Sequence, residues 1–289
     1  MVKAIYGAIL GDIVGSVYEF DNIKTTDFPF LPRECYFTDD TVATLALADA
    51  MADAVSDGSF ETKTDEEWRR VFTDRLRAFG RKYPYAGWGG HFAAWLRRKD
   101  YKPYNSCGNG SAMRVSACAY FARSLEECER LARLTAEVSH DHPDGVAGAL
   151  ATAGATYLAL HGGTKEEIAA YVDRYYGAEK EKYVREQGLK AFTLDEIRPG
   201  YSFDHYAGLC CGTVPFAEEA FLESADFEDC IRLTVSIGGD TDTLGAISGA
   251  IAEAYYGRPE KFVEAARKKL TPDLLAVLDR LDALDWPRG

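Results

Sequence analysis

Apolar residues recur at i, i+3, i+4 spacing through most of this chain. That period predicts helices over Ala4 to Val17, Thr41 to Val55, Glu66 to Arg81, Leu125 to Val138, Val146 to Leu160, Thr213 to Leu222 and Leu244 to Tyr256. The alternation of a half-buried strand is missing. The best extended candidate, Val235 to Ile237, fits the end of a helix equally well. The polar stretch from Tyr175 to Arg198 reads as a charged helix plus a connection. No repeat, low-complexity tract or Pro/Ser-rich linker divides the sequence, so residues 1–289 are expected to form one all-α domain.

Two of these helices are rich in small residues, Gly145 to Ala155 and Gly245 to Ala252. Small side chains let helix axes approach closely, which puts both segments at the centre of the bundle. Gly11 and Gly15, four apart on the first helix, imply another close contact, and Asp12 interrupts an otherwise apolar face.

Composition narrows the function classes. A net charge of −13 argues against a surface that gathers nucleic acid by neutralising phosphates. No stretch approaches the roughly 18 consecutive apolar residues of a membrane span. The apolar start is broken by Asp12 and leads into Glu19, which does not fit a signal peptide, so a cytoplasmic monomer is expected. Seven cysteines, odd in number and without a Cys-x-x-Cys pair, fit a reducing compartment. Cys210-Cys211 reads as two half-buried thiols.

The chemistry concentrates in two acidic clusters, Phe37-Thr38-Asp39-Asp40-Thr41 and Gly238-Gly239-Asp240-Thr241-Asp242-Thr243. Each precedes an apolar helix, so each could cap one. A cap needs one acceptor, however, and the second cluster supplies four oxygen-bearing side chains whose carboxylates would repel unless neutralised. Hard oxygen donors without nitrogen or sulfur suit Mg²⁺, Mn²⁺ or Ca²⁺, and the distance between the clusters in sequence requires the fold to assemble the site.

Three further motifs accompany them. Ser106-Cys107-Gly108-Asn109-Gly110-Ser111-Ala112-Met113-Arg114 combines glycines, hydroxyls and an expected helix start at Ala112, which suits either a structural turn or a phosphate cradle. Ser139-His140-Asp141-His142-Pro143 is a weak zinc signal; a turn capped by Asp141, with Pro143 opening the next helix, accounts for it. Glu19 falls where the first helix ends and is either a solvated surface residue or a carboxylate at a site mouth.

In this order the motifs resemble the ADP-ribosylglycohydrolase family, from Gly7 to about Gly257, most specifically at 37–41, 108–114 and 238–243. The resemblance implies an orthogonal multi-helix bundle with two divalent cations, Mg²⁺ or Mn²⁺, that cleaves the C1″ glycosidic bond of an ADP-ribosylated substrate. By position, Thr38, Asp39, Asp40, Asp240, Asp242 and Thr243 would ligate the metals. Asp39, Asp40, Asp242 and Glu19 would carry catalysis. Ser106, Gly108, Asn109, Gly110, Ser111 and Met113 would line the pyrophosphate site, His140 would approach the distal ribose, and Tyr101 or Tyr104 would stack on adenine. Cys107 stands where some relatives place an aromatic residue. The stretch Tyr83 to Gly90 either lines the substrate mouth or packs the periphery, and the leaving group is not legible. The competing readings are an inactive ADP-ribose-binding homologue and a metal-dependent nucleotide pyrophosphohydrolase.

Overall fold

Glycines decide how the two central helices meet. The structure, a computed structural model, describes residues 5–203 and 206–286. Among the described residues the elements are α1 (Tyr6–Gly15), α2 (Asp39–Ser56), α3 (Asp65–Lys82), α4 (Gly90–Leu96), a 3₁₀ turn (Asn109–Ser111), α5 (Ala117–Phe121), α6 (Leu125–Glu137), α7 (Pro143–Leu160), α8 (Lys165–Gln187), α9 (Leu194–Ile197), α10 (Cys210–Glu223), α11 (Phe227–Ile237), α12 (Thr241–Tyr256), α13 (Glu260–Arg267) and α14 (Pro272–Ala283). The chain is all-α, with one isolated bridge pairing Gly108 with Leu209.

α1 and α12 lie backbone against backbone, Gly7 facing Gly249, Gly11 facing Gly245 and Gly15 facing Thr241. A Cβ on Gly11 would stand 1.8 Å from the Gly245 carbonyl oxygen, and one on Gly245 would stand 2.3 Å from that of Gly11. No side chain fits such a contact. Glu253 of α12 completes it by accepting a 2.6 Å hydrogen bond from the Gly7 amide, one of the otherwise unpaired donors at the start of α1. The small-residue helix α7 packs on α12 and α10, and a Cβ on Gly148 would meet Cys210 Sγ at 2.4 Å. Both small-residue segments are therefore central, as their composition predicts.

Outer helices follow amphipathic rules. α3 buries Trp68, Phe72 and Leu76 while Thr64 and Glu67 close a capping box at its start. α8 opens with the same device, Thr164 with Glu167, and stops at Gly188, whose φ of 69° is left-handed.

Where the elements depart from expectation, polar first turns are the usual reason. α2, α7, α10 and α12 all begin two to three residues before the hydrophobic period does, because Asp39-Asp40, Pro143, Cys210 and Thr241-Asp242 continue the backbone geometry without the pattern. Val235 to Ile237 is the last turn of α11. The helix expected at Ala112 does not form. The amides of Ala112 and Met113 both turn back to the Asn109 carbonyl, at 2.9 and 3.1 Å, and regular helix resumes only at Ala117. The cap of α7 is His142, whose Nδ1 accepts from the Asp144 amide, while Asp141 instead accepts from the Asn105 amide at 2.7 Å. The expected first residue of α1, Ala4, lies outside the described residues.

Forcing the central pair apart should be costly. Gly11→Ala is expected to lower stability by about 3 kcal/mol. Gly200→Ala, at a site open to solvent with an ordinary φ, should be neutral or slightly stabilising. Urea midpoints of the two variants against the parent chain test this.

Candidate functional site

The α1–α12 contact carries Asp12 to the start of α2. Its carboxylate accepts from the Thr38 amide (2.9 Å) and hydroxyl (2.7 Å), from the Thr41 amide (3.1 Å), and from the Thr41 hydroxyl. Thr38 is also the N-cap of α2, its hydroxyl accepting from the Asp40 amide. The capping role and the acidic cluster are thus one structure, with Asp39 and Asp40 in the first turn of α2.

The second cluster opens α12 behind two left-handed glycines, Gly238 (φ 76°) and Gly239 (φ 75°). Their turn is fixed from the α1 side. Asn22 Oδ1 accepts from the Gly239 amide at 2.7 Å, and its Nδ2 donates to the carbonyls of Tyr18, Glu19 and Gly239. Lys24 Nζ donates to the carbonyls of Tyr201 and Ile237. The loop bearing Glu19 is thereby tied to the loop bearing Asp240.

Both clusters meet on one floor. The Thr243 hydroxyl donates to Asp40 Oδ2 at 3.4 Å, and two carboxylate triads form, Asp12-Asp40-Asp242 and Glu19-Asp240-Asp242, each offering oxygens within 4.8 Å of one another. Asp242 belongs to both. Asp40 Oδ1 is buried and has no partner. Burial first, and neighbouring carboxylates second, raise Asp39, Asp40 and Asp242 well above the usual carboxylate range. Asp12 is pushed up to about 6 by burial against the hydrogen bonds from Thr41 and Thr38. Glu19 rises to about 7 through burial and the charges of Asp240 and Asp12. Oxygen-only donors, a buried acceptor without a donor and carboxylates held in mutual repulsion fit a hard divalent cation.

Above this floor opens a cleft of about 470 Å³. One wall is the Gly-rich turn, with Ser106, Gly108, Asn109, Gly110, Met113 and Arg114, together with His140 and Tyr104. The opposite rim is aromatic: Phe20 (77% exposed), Tyr36 (50%), Tyr85 (99%) and Phe203 (47%), with Phe20 and Phe203 in edge contact at 5.4 Å. Ala86, Gly87, Gly89 and Gly90 also line it, so the 83–90 stretch belongs to the mouth. Gly87 (φ 106°) holds a backbone conformation that favours glycine, and a Cβ there would press on Asp39 Oδ1 at 3.0 Å.

Asn109 joins wall to floor: its Nδ2 donates to Asp240 Oδ2 at 2.7 Å and to Thr213 Oγ1 at 3.1 Å. The amides of Gly108 and Asn109 are spent internally, on Ser106 Oγ and the Gly208 carbonyl. Three expected site residues stand elsewhere. Tyr101 is on the outer surface, its hydroxyl bonded to Asp74 at 2.9 Å and its ring against Arg70 and Arg77, which leaves Tyr104 as the aromatic on the cleft wall. Ser111 points inward, donating to the Gly145 carbonyl at 2.6 Å. Thr38 is likewise absent from the lining, its hydroxyl held by Asp12. Asp12 itself was visible only as a carboxylate on an apolar helix, a signal that says buried and paired without saying with what. Arg114 and Tyr85 fall within stretches the sequence singles out, 106–114 and 83–90, whereas His91, Phe92, Tyr36 and Phe203 have no sequence signal of their own.

Residues 1–288 match the ADP-ribosylglycohydrolase family, a family of glycosidic-bond hydrolases. The chain is 26% identical to ADP-ribosylhydrolase ARH3 of Homo sapiens, over 93% of this chain and 90% of that one. It is 28% identical to ADP-ribosylarginine hydrolase Tri1 of Pseudomonas putida, over 98% and 79%. It is 29% identical to the uncharacterized protein YegU of Escherichia coli, over 100% and 94%. A solved ADP-ribosylglycohydrolase-related protein complex has the same fold, with a TM-score of 0.65 at 23% identity, covering 98% of this chain and 96% of that one. With nearly its whole length matched, this chain belongs to the ADP-ribosylglycohydrolase family.

Proposed function

We propose that this protein hydrolyses the C1″ glycosidic bond of an ADP-ribosylated substrate at the carboxylate floor, with two divalent cations, Mg²⁺ or Mn²⁺, held there. The observation that carries the reading is the sharing of Asp242 between two carboxylate triads beneath a cleft large enough for a nucleotide sugar. Asp40 and Asp242 would hold the inner ion with Thr243 beside them, and Glu19, Asp240 and Asp242 the outer one. Asp12, whose oxygens are already engaged by Thr38 and Thr41, contributes charge and positions α2.

When bound, such ions neutralise the carboxylates and polarise substrate and water oxygens. The residues of the chain do the rest. A negative floor favours the oxocarbenium-like state through which C1″ passes as its bond to the leaving group breaks. Glu19, at the mouth of the cleft, is suited by position to take the proton of the attacking water and return one to the leaving group. Asp39, on the lining beside Gly87, faces the same space and adds to its charge. Tyr104 and His140 on the far wall would hold the adenosine end, distant from the bond that breaks.

Asp242→Asn, which weakens both triads at once, should lower the release of ADP-ribose from ADP-ribosylated substrates by more than about 100-fold, and excess EDTA should do the same to the parent protein. Chromatography of the products decides the reading. AMP in place of ADP-ribose would identify a pyrophosphohydrolase, and undiminished turnover in EDTA would remove the cations from the reaction.

The pH dependence has a defined sign. Carboxyls whose folded pKa is raised, Asp12 to about 6, Glu19 to about 7 and the buried Glu253 to about 8, bind protons more tightly in the folded than in the unfolded state. The cation-free protein should therefore gain stability as pH falls from about 8 toward about 5. Divalent cations compete with those protons, so the rise in Tm on adding Mg²⁺ should be largest near pH 8 and shrink on acidification. Thermal melts in EDTA and in Mg²⁺ across this range measure both trends.

A further inference from the structure

Behind the wall of the cleft runs a buried chain of hydrogen bonds that neither the carboxylate floor nor the proposed ions explain. Arg114 is fully buried, and its Nη2 donates to the Thr135 carbonyl (2.9 Å) and to Ser139 Oγ (2.8 Å). Ser139, also fully buried, lies 2.8 Å through Oγ from His140 Nδ1. The guanidinium stands 5.3 Å over the face of Phe92, which shields it from solvent. On its other side the imidazole turns Nε2 toward the Gly-rich turn, where a Cβ on Gly110 would come within 3.0 Å of it and one on Gly108 within 3.8 Å.

Proton counting along this chain leaves one solution. A guanidinium only donates, so the Ser139 oxygen accepts from Arg114. Ser139 then has a single proton to place, and the near acceptor is His140 Nδ1. Were the imidazole protonated at Nδ1, the Ser139 oxygen would accept twice and its own proton would be buried without a partner, a cost on the order of 1–3 kcal/mol. The bonds therefore run from Arg114 to Ser139 to His140, and the ring proton is on Nε2. The adjacent guanidinium also opposes a second ring proton, and burial together with Arg114 holds His140 well below its ordinary pKa.

We propose that Arg114 and Ser139 are positioning residues that lock His140 in its Nε2–H tautomer, so that the ring presents a hydrogen-bond donor, never a lone pair, to a substrate oxygen above the Gly108–Gly110 turn. The identity of that oxygen, a hydroxyl or phosphate oxygen of ADP-ribose, rests on the proposed function; the tautomer does not. The arrangement supplies a neutral donor in a cleft whose lining, among the described residues, holds one arginine, Arg114, and no lysine. An imidazolium there would be drawn to the carboxylate floor, and the opposite tautomer would repel a phosphate oxygen and could only accept from a hydroxyl.

Two-bond ¹H–¹⁵N spectra of the histidine-labelled, ligand-free protein should find His140 neutral and protonated at Nε2 at neutral and mildly acidic pH. A ring protonated at Nδ1 would overturn the proposal. Ser139→Ala should release the lock, giving mixed tautomers and ADP-ribose binding weaker by about tenfold, with KM raised and kcat little changed. An unchanged tautomer in this variant would count against the relay. His140→Gln, whose amide can donate from the Nε2 position, should bind ADP-ribose within about threefold of the parent, and adding Ser139→Ala to it should cost nothing further. Equal losses from Ser139→Ala in both backgrounds would make Ser139 merely structural. If Ser139→Ala does not fold, the parent spectrum and the His140→Gln titration still decide. Failure of the parent protein to bind ADP-ribose would sink the proposed function and leave the tautomer assignment standing or falling on its own spectrum.

Discussion

The contact between α1 and α12 sets the position of nearly everything else. Because Gly7, Gly11 and Gly15 meet Gly249, Gly245 and Thr241 with no side chains between them, the two helix backbones are as close as packing permits. That closeness fixes Asp12, one residue beyond Gly11, against the start of α2, and it fixes the start of α12, with Asp240 and Asp242, beside the same point. The Thr241 hydroxyl donating to the Gly15 carbonyl at 2.8 Å holds the register at the site end, and Glu253 on the Gly7 amide holds it at the other. A shift of a single turn would separate the acidic clusters by about 5 Å and dissolve the floor.

A floor so assembled is electrostatically unfavourable by itself. Four aspartates and a glutamate line the space, with Asp12 against them, and among the described residues Arg114 is the one guanidinium on the lining, turned away toward Thr135 and Ser139. The fold tolerates this because the helices behind the floor are bound by contacts that do not depend on its charge, glycine against glycine and alanine-rich α7 against α12. Raised carboxyl pKa values are the expected consequence of rigidity without neutralisation. A flexible site would relax by turning its carboxylates outward, whereas Asp40 and Asp242 are buried in the first turns of packed helices.

How much of this the sequence disclosed follows from the range of each signal. Helix identity and the small-residue core were legible because period and side-chain size are local properties, and the acidic clusters because each is contiguous. The orientation of Ser111 was not, since in a 3₁₀ turn of three residues a neighbour faces the cleft or the core according to one backbone angle, and the expected helix at Ala112 hid that choice. Tyr101 and Tyr104 were equivalent in sequence. They part because Tyr104 is anchored by its amide to the Ser139 carbonyl, whereas Tyr101 reaches outward to Asp74 and two arginines of α3. Asp12 reads in sequence as an interruption of an apolar face, and its partners, Thr38 and Thr41, lie at the start of another helix.

The cleft divides its labour by charge. At the floor, anionic groups converge and call for cations; at the wall, the groups facing the cleft include the His140 imidazole, Tyr104, Ser106, Asn109 and the glycine-rich backbone. A cationic wall would form ion pairs with the floor across an open cleft and close it before any ligand arrived. By burying its arginine behind Phe92 and transmitting only a hydrogen-bond direction through Ser139, the wall keeps its recognition groups uncharged. A ligand that is anionic in its middle and hydroxyl-rich at its sugars fits such a division, because its charge is met at the floor by whatever cations the carboxylates hold, and its oxygens are met at the wall by donors that do not compete for those cations.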